Sequence, residues 1–144
     1  VHGTPHAIRP LHRPARQPTK CMSHLAPPPR IAIFCSMSVL LDRDIIMRQM
    51  RFLQQLLQWA LRKQAQQELP AALDTLRDGY REALGVPYEL LSRVDVASAR
   101  MLLRSPERRD AYAQILRAEA SVLRDLGDVA AAQANEARAN ALLH

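Results

Sequence analysis

The sequence predicts an all-α protein: about five helices, forming two antiparallel helical hairpins joined by a short helical linker, behind a disordered N-terminal tail. Three observations lead there. From Asp42 onward, apolar residues recur at steps of three and four, the period of one helix face, and no stretch alternates apolar with polar as a half-buried strand would. Helix-breaking residues fall between these runs, at "GVP" (85–87), "SPE" (105–107) and Gly127. Finally, the composition changes abruptly at Met37.

That change divides the 144-residue chain into a basic, proline-rich tail (1–36) and a helical domain (37–144). The tail holds five basic residues (Arg9, Arg13, Arg16, Lys20, Arg30) and no acid, together with seven of the ten prolines, both cysteines and four of the five histidines. Proline fixes φ and removes a backbone donor, so its spacing here forbids a continuous helix, and the composition predicts disorder. Five of the six net positive charges, and hence the basic pI, therefore belong to the tail. From Met37 onward fifteen Lys and Arg face all fourteen Asp and Glu, a balance of +1. A phosphate-binding domain needs a cation for each phosphate it neutralises, and a near-neutral domain argues against one.

Other uses of the tail fit less well. A secretory leader does not have so long a basic segment, and "IAIFCSMSVLL" runs into "DRD" with no small-residue cleavage site. No apolar run approaches the ~20 residues of a membrane span. Cys21 and His24 form a C-x-x-H pair, with Cys35 or His12 to complete a tetrahedral zinc site, but a second pair at fixed spacing is missing and no metal is expected. Cys35 lacks a nearby base in the folded region, where the only histidine is His144. The expectation is a dispensable extension ahead of a natural start at Met37.

The first helix is expected to open at Asp42 and Asp44, whose charge suits unpaired amide donors. Its apolar face carries Ile46, Met50, Leu53, Leu57 and Leu61, widened by Ile45, Phe52, Leu56 and Trp59. The chain turns near Gln66 to Leu69, and Pro70 sits in the first turn of a second helix with Ala72, Leu73, Leu76, Tyr80, Ala83 and Leu84 inward. Gly85 closes it in a left-handed conformation and Pro87 prevents continuation. Two short apolar turns follow, "YELLSRV" and "VASARMLL", the latter capped by Asp95. Ser105 and Pro106 start the next helix, which buries Tyr112, Ile115, Leu116, Ala120, Leu123 and Leu126. Gly127 ends it, and Asp128 caps the last helix, "VAAAQANEARANALL".

Setting Leu69 against Val129, at an offset of sixty residues, places "LPAALDTLRDGYREAL" beside "VAAAQANEARANALL" and matches Ala72 with Ala132. Both segments follow a turn after a long helix, "QE" in one and "GD" in the other. This resembles the latter half of a tetratricopeptide motif, in which a small alanine stands where two helices approach closely. Gly127, Asp128, Val129 and Ala132 match that pattern, whereas the first unit lacks the glycine and has Pro70 at its opening. Through "RDIIMRQM", "ELPAALDTLRDGYREALGV" and "LRDLGDVAAAQANEA" the domain resembles a family of uncharacterised small bacterial helical proteins with tetratricopeptide-like hairpins. That resemblance implies a fold and no activity.

Candidate sites are few. Arg48, Arg51, Gln55, Gln58 and Arg62 form one polar stripe on the first helix, and no acid lies between Asp44 and Glu68. In tetratricopeptide-like domains the first helix of each hairpin lines the groove, so the resemblance implies that these residues hold an acidic peptide or carboxylate. A plain solvated face is the competing reading. Asp74 and Asp78 stand three residues before Arg77 and Arg81, the spacing of surface ion pairs. Trp59 is expected in the core or at a subunit contact, and Arg104, Arg108 and Arg109 at a solvated helix start. The domain has no Gly-rich phosphate loop, no nucleophile with a base and no two-histidine metal pair. The expectation is a cytoplasmic, non-enzymatic protein-interaction or assembly module without cofactor, joined to a protein partner or to itself. The alternative is a nucleic-acid-associated protein that uses its basic tail.

Overall fold

A computed structural model describes Gly3 and residues 29–144, with side chains from Leu40 onward. The chain divides into two units, Val1–Ser38 and Val39–His144, and the packing below is that of the second. All regular structure among the described residues is helical: α1 (Pro29–Ala65), α2 (Leu69–Asp78), α3 (Tyr80–Leu84), α4 (Tyr88–Leu91), α5 (Val96–Leu102), α6 (Pro106–Asp125) and α7 (Val129–Leu143). No helix among them is long and apolar enough to cross a membrane.

The expected plan is present with two refinements. The second predicted helix is divided at Gly79 into α2 and α3, and the linker forms two short helices, α4 and α5. One expectation needs correction. The helix expected to open at Asp42 and Asp44 is already under way there, because α1 starts at Pro29 and contains both aspartates. Proline is well suited to a first helical position, and no Gly or Pro follows it before Ala65. Met37 likewise falls inside α1.

Each of the other expected stops and starts is made by the residue that predicts it. Gly85 closes α3 at φ 73°, and Asp95 accepts the Ser98 amide to cap α5. Ser105 accepts the Arg108 amide to cap α6, and Asp128 accepts the Ala131 amide to cap α7.

The core runs through the inner faces of all the longer helices, with Leu53, Leu56 and Ala60 from α1, Leu76 from α2, Ile115 from α6 and Leu142 from α7 almost wholly buried. The apolar arc of α1 is narrower than its sequence implies. Ile45 and Trp59 are each 45% exposed and Leu61 is 61% exposed. The cause is position: α1 packs inward on α2–α3 and α6, and nothing among the described residues covers its other side. Leu126, also expected inside, lies 43% exposed in the turn after α6.

The sixty-residue offset reappears in three dimensions. After α1, the Glu68 amide donates to Lys63 O at 2.9 Å, and after α6 the Asp128 amide donates to Leu123 O at 2.9 Å. The residue before each donor is left-handed, Gln67 at φ 61° and Gly127 at φ 85°. These bonds occupy carbonyls that a helix end would otherwise leave unpaired. Ala72 and Ala132, four residues beyond the turns, are fully buried. Further along, a Cβ added at Gly79 would collide with the Leu56 side chain, so the chain at Gly79 meets α1 at van der Waals limit. The equivalent position in the second hairpin is Ala139, also fully buried.

Candidate functional site

Two parts of the molecule carry polar chemistry. The first is the predicted stripe. Arg48, Arg51, Gln55, Gln58 and Arg62 are all exposed and share the face of α1 that points away from Leu53, Leu56 and Ala60. Each turn of helix advances them by three or four residues, so they form one continuous row. Beside the row runs an apolar flank at steps of seven, Ile45, Phe52 and Trp59, in which the last two rings meet edge to face at 6.3 Å. Trp59 is thus a surface residue leaning on Phe52, not a core one. Ile45, Arg48, Gln49 and Phe52 of α1 border a cavity of about 330 Å³, and Glu82 of α3 is the one acid on it.

The expected surface ion pairs of α2 and α3 do not form. The one ion pair among the described residues joins Arg124 and Glu136 across the α6–α7 hairpin. Arg77 turns away from Asp74 and lies over the Tyr88 ring, 4.8 Å from its centroid. Stacking a weakly hydrated guanidinium on an aromatic face competes well with an exposed ion pair, which is worth little. The cluster around Ser105 is also less solvated than expected. Arg108 donates from Nε to Gln49 Oε1 at 3.0 Å, tying the start of α6 to α1, and Arg109 is half-buried.

The second part is a cavity of about 320 Å³ that sequence reasoning missed, bordered by α2–α4, α6 and α7. At its floor Glu119, only 2% exposed, is the one buried charged side chain among the described residues. Tyr80 Oη donates to Glu119 Oε1 at 2.8 Å, and Asn135 Nδ2 donates to Oε2 at 3.1 Å. Burial pushes the Glu119 carboxyl above the usual glutamate range, against the opposing pull of Tyr80, Arg77 and Asn135. Burial likewise raises the Tyr80 hydroxyl well above its ordinary value, and the Glu119 charge adds to this. The Tyr80 ring meets Tyr88 and Tyr112 edge to face at 5.3 and 5.7 Å.

Arg138 closes one wall. Its Nε donates to Tyr112 Oη at 3.0 Å, and its Nη2 donates to both Leu91 O and Val94 O at 2.8 Å. A single side chain of α7 thereby satisfies one carbonyl at the end of α4 and one in the turn beyond it, and fixes the linker to the second hairpin. A signal for this cluster does exist in the sequence. Glu119 stands seven residues after Tyr112 and four after Ile115, an acid on the face predicted to be buried.

No group of three or more His, Cys, Asp or Glu suited to a metal occurs among the described residues. Cys21, His24 and His12 lie outside them, as does the side chain of Cys35. Comparison with protein-family models, with curated proteins and with solved structures finds no match to this chain.

Proposed function

We propose that this protein is a non-enzymatic helical interaction module of the cytoplasm, and that it docks protein on the outer face of α1, beginning with a second copy of itself. The observation that supports this reading most directly is the order of charges along that face. Reversing one α1 against another about Leu53 brings Asp44 of one copy opposite Arg62 of the other, Arg48 opposite Gln58 and Arg51 opposite Gln55. No two arginines meet. The apolar flank reverses about nearly the same point, which sets Ile45 against Trp59 and Phe52 against Phe52. A two-fold contact requires such self-complementarity. Ile45 and Trp59 are each 45% exposed, so covering what remains of either contributes about half of the ~1.5–3 kcal/mol for burying such a side chain outright.

The resemblance to tetratricopeptide-like hairpins of bacterial proteins belongs to the same reading. It is supported by the repeated turn and by the small buried residues at matching positions, Ala72 with Ala132 and Gly79 with Ala139. Two hairpins fall short of the ~3 repeats that usually complete such a core, so an end face is left to be covered. The test is light scattering of the full chain at micromolar concentration. A dimer is expected, weakened by Arg62→Asp or by Asp44→Arg alone and restored by the two together. A monomer at every concentration, or a double variant no better than the singles, overturns the proposal.

A further inference from the structure

The cavity between α2–α4, α6 and α7 is lined as a binding site is lined. A packing void in a helical protein is walled by aliphatic atoms and stays dry. This one presents two guanidinium groups, two carboxylates and three tyrosines, and Leu116 and Leu123 supply an apolar wall. Its volume of about 320 Å³ lies at the small end of known ligand pockets.

An account of its hydrogen bonds isolates one residue. Both Glu119 oxygens accept a bond, from Tyr80 and Asn135, and Arg138 is engaged by Tyr112, Leu91 and Val94. Arg77 is not so engaged. Its Nε is buried and donates to no described residue, and no carboxylate among the described residues lies within 4.0 Å of it. Glu119 and Asp128 border the same cavity. Asp78 and Glu89 border an adjoining one that Arg77 also reaches. None of the four closes an ion pair with it. A buried donor without a partner is costly, so an acceptor brought by a ligand is favoured at this point.

The geometry also selects the kind of acceptor. Arg77 Cζ lies over the Tyr88 ring, 4.8 Å from its centroid, and the planar guanidinium fork is the group that meets a carboxylate through two parallel bonds. Two cations, Arg77 and Arg138, border the cavity with two carboxylates, Glu119 and Asp128. Both carboxylates already accept hydrogen bonds within the protein and Arg138 is fully engaged, so Arg77 is the one charged group left to meet a ligand, and a single negative charge matches it. A phosphate dianion would set its second charge near buried Glu119, where low dielectric magnifies repulsion.

We propose that this cavity binds the carboxylate of an apolar acid, either free or as the C-terminus of a peptide, with Arg77 as its clamp and Tyr88 as the ring beneath Arg77. The site is separate from the outer face of α1, and its fate does not depend on the docking proposal. The experiment follows backbone amide chemical shifts of the full chain during addition of 3-phenylpropionate, its neutral amide, and acetyl-Ala-Ala-Phe with a free or an amidated C-terminus. Saturable shifts around Arg77, Tyr88 and Asn135 are expected with the charged form of at least one pair and not with its neutral form. The small acid alone would mark a free metabolite as the source, and the free peptide alone would mark a chain terminus. Arg77→Gln should weaken binding by about tenfold to a hundredfold, the share of a charge-assisted bidentate contact. Arg77→Lys, which keeps the charge and loses the fork, should fall between. No saturable shift with either acid, equal response to the neutral forms, or unchanged affinity in a folded Arg77→Gln variant overturns the proposal. Should Arg77→Gln not fold, the acid and amide comparison on the unaltered chain decides it.

Discussion

The two hairpins use the same backbone path with different side chains, and the places where they differ follow from what each hairpin is packed against. Trp59 in α1 and Glu119 in α6 occupy equivalent positions, sixty residues apart. The tryptophan is 45% exposed and the glutamate 2% exposed, the reverse of what hydrophobicity alone assigns. Glu119 is covered because α6 lies between the first hairpin, which supplies Tyr80, and α7, which supplies Asn135. Trp59 has no such neighbours among the described residues. The same logic governs the rest of the face: Arg51, Gln55 and Arg62 are exposed on α1, while their equivalents Ala111, Ile115 and Val122 are buried on α6. In a stack of hairpins, then, the chemistry at a given helical position reports whether a neighbour precedes it.

The largest expected effect breaks this comparison at Glu119. Glu119→Ala strands the Tyr80 hydroxyl and the Asn135 amide in the interior, and should cost about 2–4 kcal/mol in urea unfolding. Trp59→Ala, at the equivalent position, should cost the folded monomer far less. Acidity supplies a second measure. Burial raises the Glu119 carboxyl above its ordinary range, so in the window between the ordinary and the raised value the folded state holds a proton that the unfolded state has lost. Stability must therefore fall as pH rises through that window and level off above it. Glu119→Gln should lack this component, so the difference in Tm between the two proteins should change with pH across that window and be constant above it.

Next in size are the turns. Both require a left-handed residue, which is met by Gly127 in one and by Gln67 in the other. A side chain in that conformation costs about 1–2 kcal/mol. Gly127→Gln should thus destabilise the protein by about 1–2 kcal/mol, softened by the lower entropy of the unfolded chain. Gln67→Gly should stabilise it, by up to about 1 kcal/mol, because relief of strain exceeds the added freedom of glycine. Urea midpoints of the two variants should move in opposite directions. Movement in the same direction would mean that the turns are not equivalent.

What could be read from the sequence followed from local rules. The caps at Asp95, Ser105 and Asp128, the closing glycines, the hairpins and the offset between them each depend on a few neighbouring residues, whose backbone chemistry acts at short range. The polar stripe of α1 was legible for the same reason, as five residues sharing one helix face. The start of α1 was not, because Asp42 suits a cap and equally suits an exposed interior position when the preceding residues permit a helix. The Glu119 cavity was missed because it assembles residues from α2, α3, α4, α6 and α7 that come together only through packing. Arg77 shows the difference most plainly. Its spacing from Asp74 matches an ion pair, yet Tyr88, eleven residues away and beyond a helix break, offers a ring that wins.

The smallest expected effect concerns the residue just before each second helix. Glu68 and Asp128 have nearly the same backbone angles, φ −87° and ψ 60° against φ −88° and ψ 72°. Only the aspartate caps: its Oδ1 accepts the Ala131 amide at 3.1 Å, whereas Glu68 makes no side-chain cap. One methylene separates them, and it carries the glutamate oxygens past the third helical amide. In α2 the need for that bond is sharper, because Pro70 has no N–H and Ala71 is the first donor within the usual reach of a cap. Glu68→Asp should therefore add about 0.5–1 kcal/mol, and Asp128→Ala should remove about 1 kcal/mol. The matching change Asp128→Glu should cost nearly as much as Asp128→Ala, since a carboxylate of the wrong length keeps its attraction to the helix end but loses the bond. If Glu68→Asp leaves the unfolding midpoint unchanged while Asp128→Glu lowers it, the two turns share a backbone path without sharing its capping geometry.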